Sequence, residues 1–359
     1  MNYSPFRHIG SIVSKSRPIQ LTFFLTSRCN ARCRFCFYLS RNNTKEGKGE
    51  LSLDEITRIS SSLGPLLWLA FSGGEIFLRD DLVQITEIFY KKNRPAIILL
   101  PTNGLLPELI TEQTETILNQ CTKSTIVVKL SLDGTETVHD AIRGVKGSFR
   151  KTLETYERLR VLSERYPNFE LGINSVFTAA NQDCMDELIG FVNTLRGIRT
   201  HTISLIRGKV SDHSLKDIDR EKYLHTIKLL EKNLRNGLSG TYQFRGARLK
   251  AAQDILQRRL IYKTLLEKKP LIPCYAGRLT LVITEDGEVY PCESFRHCMG
   301  NVREMGYDIE RILHSSTART VIETIRNEQC YCTHECYMMI NILFNPLMYP
   351  SLIREYLQL

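Results

Sequence analysis

Short apolar stretches rich in β-forming residues alternate with helical patterns along much of the chain. The predicted strands cover residues 19–25, 66–71, 96–101, 125–132, 169–177 and 200–206. The predicted helices between them cover residues 53–63, which begin after Ser52 as a cap, and residues 81–92, 107–120, 148–166 and 183–195. Because strand–helix alternation is typical of parallel sheets with right-handed crossovers, we expect an α/β fold, a partial (β/α)6 barrel of the TIM type. Functional groups in such barrels lie at the carboxyl ends of the strands.

The same pattern divides the chain into four predicted parts. A partial barrel at 15–210 is followed by a charged helical linker at 211–270, a small cysteine-rich hairpin-plus-helix unit at 271–340 and an apolar tail at 341–359. Glu285-Asp286-Gly287, between two short apolar runs, is a good hairpin signal. Prolines interrupt the tail, so it is too broken to cross a membrane. We expect the tail to pack over the barrel, and peripheral contact with a membrane is the alternative.

The net charge of the 359 residues is +9, and part of it is concentrated in one helical stretch. Residues 245–269 contain eight basic and two acidic side chains. A solvated helix face is the ordinary explanation, and contact with an acidic peptide, a phosphate, nucleic acid or an anionic membrane face is the alternative. We expect no nucleic-acid partner.

Nine of the eleven cysteines fall into two groups, three at 29–36 and six at 274–336. The first twenty residues lack the apolar core of a secretory signal, so we expect a cytoplasmic protein. In that reducing compartment, clustered cysteines are metal ligands rather than disulfides. The isolated Cys121 and Cys184 and the single tryptophan, Trp68, are expected in the core.

The first cysteine group has the spacing C-x3-C-x2-C and follows the first predicted strand directly. Cys29, Cys33 and Cys36 supply three thiolates within eight residues. Three thiolates can hold three corners of an iron–sulfur cube and leave the fourth iron open for a ligand, whereas structural zinc usually needs four protein ligands. Phe35 lies beside the last cysteine and can shield the cluster or stack on a flat ligand.

This motif resembles the cluster motif of the radical S-adenosylmethionine (radical SAM) enzymes, which is C-x3-C-x-aromatic-C. The resemblance implies a [4Fe–4S] cluster whose open iron binds SAM, and reductive cleavage of SAM to a 5′-deoxyadenosyl radical. It also implies an electron donor such as a flavodoxin or a ferredoxin.

Further motifs of this family end the following predicted strands. They are Ser72-Gly73-Gly74-Glu75, Thr102-Asn103-Gly104 and Ser131-Leu132-Asp133-Gly134. By resemblance, Gly73, Gly74 and Glu75 hold the SAM amino group. Asn103, Ser131 and Asp133 suit its ribose hydroxyls and methionine tail. Each motif alone is an ordinary turn, but their order favours the family.

Three more residues are candidate SAM or cavity contacts. Arg143 can pair with the SAM carboxylate, and a surface ion pair with Asp140 is the alternative. Asn174 lies on the fifth predicted strand, where the family often places a polar SAM contact. Arg207 ends the sixth predicted strand and can face the cavity.

The second cysteine group resembles the SPASM/twitch extension of radical SAM enzymes, which carries auxiliary [4Fe–4S] clusters. Cys274 and Cys292 match its hairpin signature, with Gly287 five residues before the second cysteine. Six cysteines cannot fill two four-cysteine clusters, so we expect one auxiliary cluster, ligated by Cys274, Cys292 and two of Cys330, Cys332 and Cys336. A second, incompletely ligated cluster and a structural zinc site are the alternatives. The role of Cys298 is open, and His334 is either a ligand or, by preference, a polar surface residue.

These features predict an enzyme that removes a hydrogen atom from its substrate, with the auxiliary cluster assisting an oxidation. Only about twenty residues precede the first strand, which leaves no room for the leader-binding domain of many peptide-maturing relatives. We therefore expect a small-molecule substrate, a sugar or lipid-linked metabolite. Peptide or sulfatase-type maturation is the first alternative, and a non-catalytic iron–sulfur electron carrier is the second.

Overall fold

Six parallel strands form the central layer of the molecule. They are β1 (Gln20–Thr26), β2 (Trp68–Gly73), β3 (Ile97–Thr102), β4 (Thr125–Ser131), β5 (Phe169–Phe177) and β6 (Ile198–Leu205). In the computed structural model, which describes residues 2–38, 49–328 and 330–359, each strand lies beside the next one in sequence. All these pairs are parallel. The predicted α/β fold is confirmed, with strand limits that differ by no more than two residues.

Helices connect the strands and cover one face of the sheet. The predicted ones are α1 (Leu53–Ser62), α2 (Leu82–Asn93), α3 (Pro107–Gln120), α5 (Ser148–Arg165) and α6 (Met185–Thr194). The predicted cap of α1 is confirmed, because Ser52 Oγ accepts from Glu55 N at 3.3 Å and the Glu55 carboxylate accepts from Ser52 N at 2.8 Å. Helix α4 (Glu136–Arg143) was missed because eight residues are too few for a clear helical period.

Side chains alternate between the two faces of each strand. On β4, Ile126 and Val128 are buried in the apolar core that the sheet shares with the helices. Lys129 and Ser131, on the opposite face, line a central cavity. The helices thus cover one face of the sheet, and the other is left for the site.

The cysteine-rich unit continues the same sheet rather than standing apart from it. β7 (Thr280–Ile283) lies parallel to β1, with Gln20 opposite Thr280. β8 (Glu288–Tyr290) and β9 (Gly300–Asn301) follow in antiparallel order. The predicted hairpin is confirmed, and Gly287 takes the left-handed conformation in its turn, with φ at 87°. Helices α9 (Ile309–Leu313) and α10 (Ser316–Asn327) complete this part before the last cysteines.

The charged segment after the barrel is helical, as predicted. It contains α7 (Arg220–Arg235) and α8 (Ala247–Glu267). Part of its basic charge is neutralised within the protein, because Arg259 pairs with Glu231 and with Glu355, the latter at 2.7 Å. The other side of α8 is buried, as at Ala252 and Ile255. The segment therefore belongs to the packed structure of the barrel.

The apolar tail packs back onto the protein. Helices α11 (Glu335–Leu343) and α12 (Tyr349–Gln358) both contact α8, which confirms the predicted packing. Leu352 is buried, whereas Leu347 and Leu357 are 82% and 72% exposed. Contact of these exposed side chains with a membrane stays a prediction.

No single helix of the described ranges is long and apolar enough to cross a membrane. Helix α11 and the segment Pro346–Gln358 together have that length and apolar composition, but they are bent by 89° relative to each other.

Short 3₁₀ helices complete the described structure, at Pro5–Ile12, Ile76–Leu78, His213–Lys216 and Pro346–Met348.

Candidate active site

The face of the sheet opposite the helices surrounds a cavity of about 320 Å³. Each of the strands β1 to β6 contributes side chains to its wall. Residues between 242 and 257, together with the first turns of α11, complete the wall where the sheet is open. The cavity thus lies between the barrel, the predicted linker and the cysteine-rich unit.

The cysteine triad lies in the loop that directly follows β1. The thiols of Cys29, Cys33 and Cys36 are partly buried and close enough to interact electrostatically. Burial raises the pKa of Cys33 to about 11 and raises that of Cys29 as well. Cys36 lines the central cavity, so a cluster on this loop would face the substrate.

In the parts of the chain that the structure describes, no three His, Cys, Asp or Glu side chains converge closely enough for a single metal ion. A zinc ion needs its ligands within about 2.0–2.3 Å of one atom. The four irons of a cube accept thiolates that lie much further apart.

Gly73 and Gly74 allow the end of β2 to lie against the triad loop. A Cβ atom on Gly74 would lie 2.0 Å from the carbonyl oxygen of Arg28, and one on Gly73 would lie 2.3 Å from that of Thr26. Gly73 also has φ at 121°, which favours glycine. The glycines thus place the SAM motif directly against the loop that carries Cys29.

Glu75 connects the ends of two strands. One of its carboxylate oxygens accepts from Thr102 Oγ1 at 2.9 Å and the other from Asn103 N at 2.7 Å. Burial raises the pKa of Glu75 to about 7. The Asn103 amide in turn donates to Asn30 Oδ1 at 2.7 Å. These bonds fix the triad loop relative to β2 and β3, while the contact of Glu75 with the SAM amino group stays a prediction.

Arg143 is a buried residue beside the triad. It forms an ion pair of 2.5 Å with the buried Asp133 and donates to Cys33 Sγ at 3.6 Å. Its guanidinium lies over the ring of Phe35, 5.4 Å from the centroid. The alternative of a surface pair with Asp140 is wrong, because Asp140 instead accepts bonds from residues 147–149 at the start of α5.

Ser131, Asn174 and Arg207 all line the cavity. Asn174 Oδ1 accepts from Ser204 Oγ at 3.3 Å. Arg207 pairs with Glu293 at 3.0 Å and lies over the ring of Phe37. The prediction that Arg207 faces the cavity is confirmed, and its bond to Glu293 connects the barrel with the cysteine-rich unit.

These features fit the [4Fe–4S] cluster and SAM that the motifs imply. Cys29, Cys33 and Cys36 would hold the cluster. Arg143 Nε is buried and has no hydrogen-bond partner among the described residues, so Arg143, which lines the cavity, keeps a donor for an anionic group such as the SAM carboxylate.

Four cysteines of the second group surround a separate small cavity of about 100 Å³. They are Cys274, Cys292, Cys330 and Cys332. These four thiols interact electrostatically with one another. Cys336, on the first turn of α11, instead lines the central cavity. The structure thus separates Cys336 from the other predicted auxiliary ligands.

The two other candidates near this group lie outside the four-cysteine set. Cys298 is exposed, and its thiol lies 3.4 Å from the carbonyl oxygen of Gly300. His334 was expected at the surface, which is wrong, because it is buried and its Nε2 lies 2.8 Å from the Glu293 carboxylate. Although burial opposes the charged form, Glu293 raises the pKa of His334 to about 9.

Several cavity residues escaped the sequence motifs. Lys129 lies inside the barrel two residues before Ser131, and Tyr242 and Asp254 come from the predicted linker. Trp68, expected in the core, lines the cavity as well. In the sequence, only the charge of Lys129 within an otherwise apolar strand could have indicated one of these cavity residues.

Comparison with known proteins agrees with this geometry. Residues 23–168 match the Radical SAM superfamily, and residues 274–337 match the SPASM iron–sulfur cluster-binding domain. The AdoMet-dependent heme synthase of Methanosarcina barkeri is 26% identical over 309 residues, 82% of either chain; AdoMet is SAM. The antilisterial bacteriocin subtilosin biosynthesis protein AlbA of Bacillus subtilis is 28% identical over 304 residues, which are 81% of this chain but 59% of AlbA.

The fold is also that of a solved structure, native anSMEcpe with bound AdoMet and the Kp18Cys peptide. The TM-score is 0.59 at 18% identity, and the match covers 95% of this chain and 100% of the other.

The protein belongs to the radical SAM superfamily. It is an enzyme of that superfamily with a SPASM domain, and the predicted cofactors, a [4Fe–4S] cluster, SAM and auxiliary iron–sulfur, are confirmed. That only one auxiliary cluster is present stays a prediction.

We expect Gly74→Ala to lose the first cluster, because the added Cβ would collide with the backbone of the triad loop. After anaerobic reconstitution, iron analysis should show about four irons fewer than in the wild type. Gly64→Ala is the matched control, since nothing lies within 4 Å of that Cβ position. Full iron content in Gly74→Ala would show that the close approach is not needed.

We expect Cys332→Ser to lose the auxiliary cluster and Cys336→Ser to keep it, because only Cys332 lies with Cys274, Cys292 and Cys330. Iron content and Mössbauer spectra of the two variants test this. Loss of about four irons from Cys336→Ser would contradict the arrangement.

Proposed function

We propose that the enzyme removes a hydrogen atom from a small-molecule substrate held in the central cavity and that the auxiliary cluster assists the oxidation that follows. One observation carries the proposal. The same cavity is lined by Cys36 of the triad loop and by Glu293, the residue next to Cys292. A substrate there lies between the two cysteine sets.

Bound together, the first cluster and SAM supply one-electron chemistry that breaks an unactivated C–H bond. The protein supplies position and exclusion of water. Phe24, Phe35 and Phe37 form apolar parts of the cavity wall. Arg143 presents a cation beside the triad, and Arg207, paired with Glu293, presents a second one at the boundary with the SPASM domain. Since Arg143 is assigned to SAM, Arg207 Nε, which is buried without a hydrogen-bond partner among the described residues, is the donor that orients a polar substrate between the two sets.

A cavity of about 320 Å³ is at the lower end of the range for small-molecule sites. SAM takes part of that volume, because predicted SAM contacts such as Ser131 and Arg143 line the same cavity, and the remaining space suits a small molecule or one side chain of a peptide. A peptide substrate is the second candidate, because AlbA, which serves in bacteriocin biosynthesis, is among the relatives of this chain. A flavodoxin or ferredoxin as electron donor and a cytoplasmic location complete the proposal, since a reducing compartment keeps both cysteine sets available.

The two cysteine sets have different roles in this proposal, so we expect different defects. Cys33→Ala should abolish the formation of 5′-deoxyadenosine from SAM under dithionite. Cys292→Ala should retain part of that cleavage and make no substrate-derived product. Chromatography of the anaerobic reaction measures both, with Cys298→Ala as the exposed-cysteine control. Wild-type amounts of 5′-deoxyadenosine from Cys33→Ala would refute the assignment.

Deuterium transfer distinguishes the two substrate classes. An extract of host cells grown in deuterium oxide is divided by ultrafiltration and peptide capture into a small-molecule and a peptide fraction, and each is incubated with the enzyme and unlabelled SAM. We expect mass spectrometry to find deuterium in 5′-deoxyadenosine with the small-molecule fraction. Transfer from the peptide fraction alone would establish the second candidate instead.

A further inference from the structure

One lysine lies inside the central cavity away from the family motifs. Lys129 precedes Ser131 by two residues on β4, so its Cα lies about 7 Å further into the barrel from the strand end. Its ammonium group donates to Thr202 Oγ1 on β6. Burial lowers the pKa of Lys129 to about 8, which still leaves it mostly protonated at neutral pH.

Two carboxylates lie near Lys129, and each forms hydrogen bonds with other groups. Asp254 pairs with Lys250 and accepts from the Tyr242 hydroxyl at 3.1 Å. Glu170 Oε1 accepts from the backbone N–H groups of residues 243 and 244 at 2.8 and 3.1 Å, while its Oε2 is buried and has no hydrogen-bond partner among the described residues. Lys129 forms no ion pair with a described residue; Arg258 and Lys250 add positive charge around it, and Asp254 and Glu170 add negative charge. Around Lys129, three cations thus face two carboxylates, which leaves one positive charge unmatched.

Two further donors in the same cavity have no protein acceptor. Thr22 Oγ1, on a side chain only 2% exposed, and Trp68 Nε1 have no hydrogen-bond partner among the described residues. Both residues line the cavity with Lys129. Buried donors without acceptors are unfavourable, and a desolvated cation without a partner is more so. All three residues line one cavity, so an anion bound there can accept from the lysine and from these donors.

We propose that Lys129, with the Thr22 hydroxyl and the Trp68 indole N–H as further donors, forms a subsite for a carboxylate group of the substrate. This inference rests on the proposed function, since it takes the cavity as the substrate site. One unpaired cation and two neutral donors suit a carboxylate. A phosphate dianion usually takes more cations or a helix N-terminus. The substrate class is accordingly a carboxylic acid whose carboxylate lies deeper in the barrel than the reacting carbon.

Trp68 is the single tryptophan of the chain and lines this cavity, so its fluorescence reports on ligands that bind there. The reconstituted holoenzyme with SAM is titrated with hexanoate, and with hexanol and hexyl phosphate as probes of the same chain length. We expect a saturable change with hexanoate and none with hexanol. Lys129→Met should weaken hexanoate binding about thirtyfold, as for the loss of one partner of a buried ion pair.

Lys151→Met, on the exposed side of α5, is the matched control and should bind hexanoate as the wild type does. Thr22→Val keeps the side-chain shape, so it tests the subsite even if Lys129→Met fails to fold, and it should weaken binding severalfold. Equal binding of hexanoate and hexanol, or unchanged affinity in both subsite variants, overturns the inference. Tighter binding of hexyl phosphate than of hexanoate overturns the carboxylate assignment.

Assays of 5′-deoxyadenosine on the same samples separate this inference from the proposed function. SAM cleavage without hexanoate binding overturns the subsite and leaves the function standing. Hexanoate binding without SAM cleavage overturns the function and leaves the subsite standing.

Discussion

The buried ion pair between Arg143 and Asp133 holds together the parts of the site that the sequence supplies separately. Arg143 ends α4, Asp133 follows β4, and the guanidinium also reaches Cys33 on the triad loop. The carbonyl oxygen of Arg143 accepts from Arg32 N at 2.9 Å as well. Because neither charge tolerates burial alone, the helix, the strand end and the loop keep one arrangement. The thiols of the first cluster depend on that arrangement for their position.

The motifs at the strand ends made the barrel and the location of the site predictable. Each motif follows an apolar strand, and parallel strands bring their carboxyl ends to one edge. The contacts that each motif makes at that edge were less predictable. Gly74 lies directly against the backbone of the triad loop, and the Glu75 carboxylate accepts hydrogen bonds from Thr102 and Asn103. A sequence motif indicates that a residue type is needed at a position, whereas the packing shows which neighbouring atoms require it.

The remaining walls of the cavity had no local signal. Tyr242 and Asp254 belong to a segment whose composition resembles any solvated helix, and they acquire a role only because α8 packs across the open part of the sheet. Packing also determines which of the cysteines that the spacing left unassigned lie together. Cys332 and Cys336 differ by one helical turn in sequence, but the start of α11 lies between them and directs them to different cavities.

The parallel pairing of β1 with β7 has a consequence for biosynthesis. About 260 residues separate Gln20 from Thr280, its partner across the two strands. While the ribosome is still translating the middle of the chain, that edge of β1 has unpaired backbone groups, which invite pairing with other chains. Contacts so distant in sequence also form slowly. The nascent barrel thus depends on its last segment, and a chain that terminates early exposes a strand prone to aggregation.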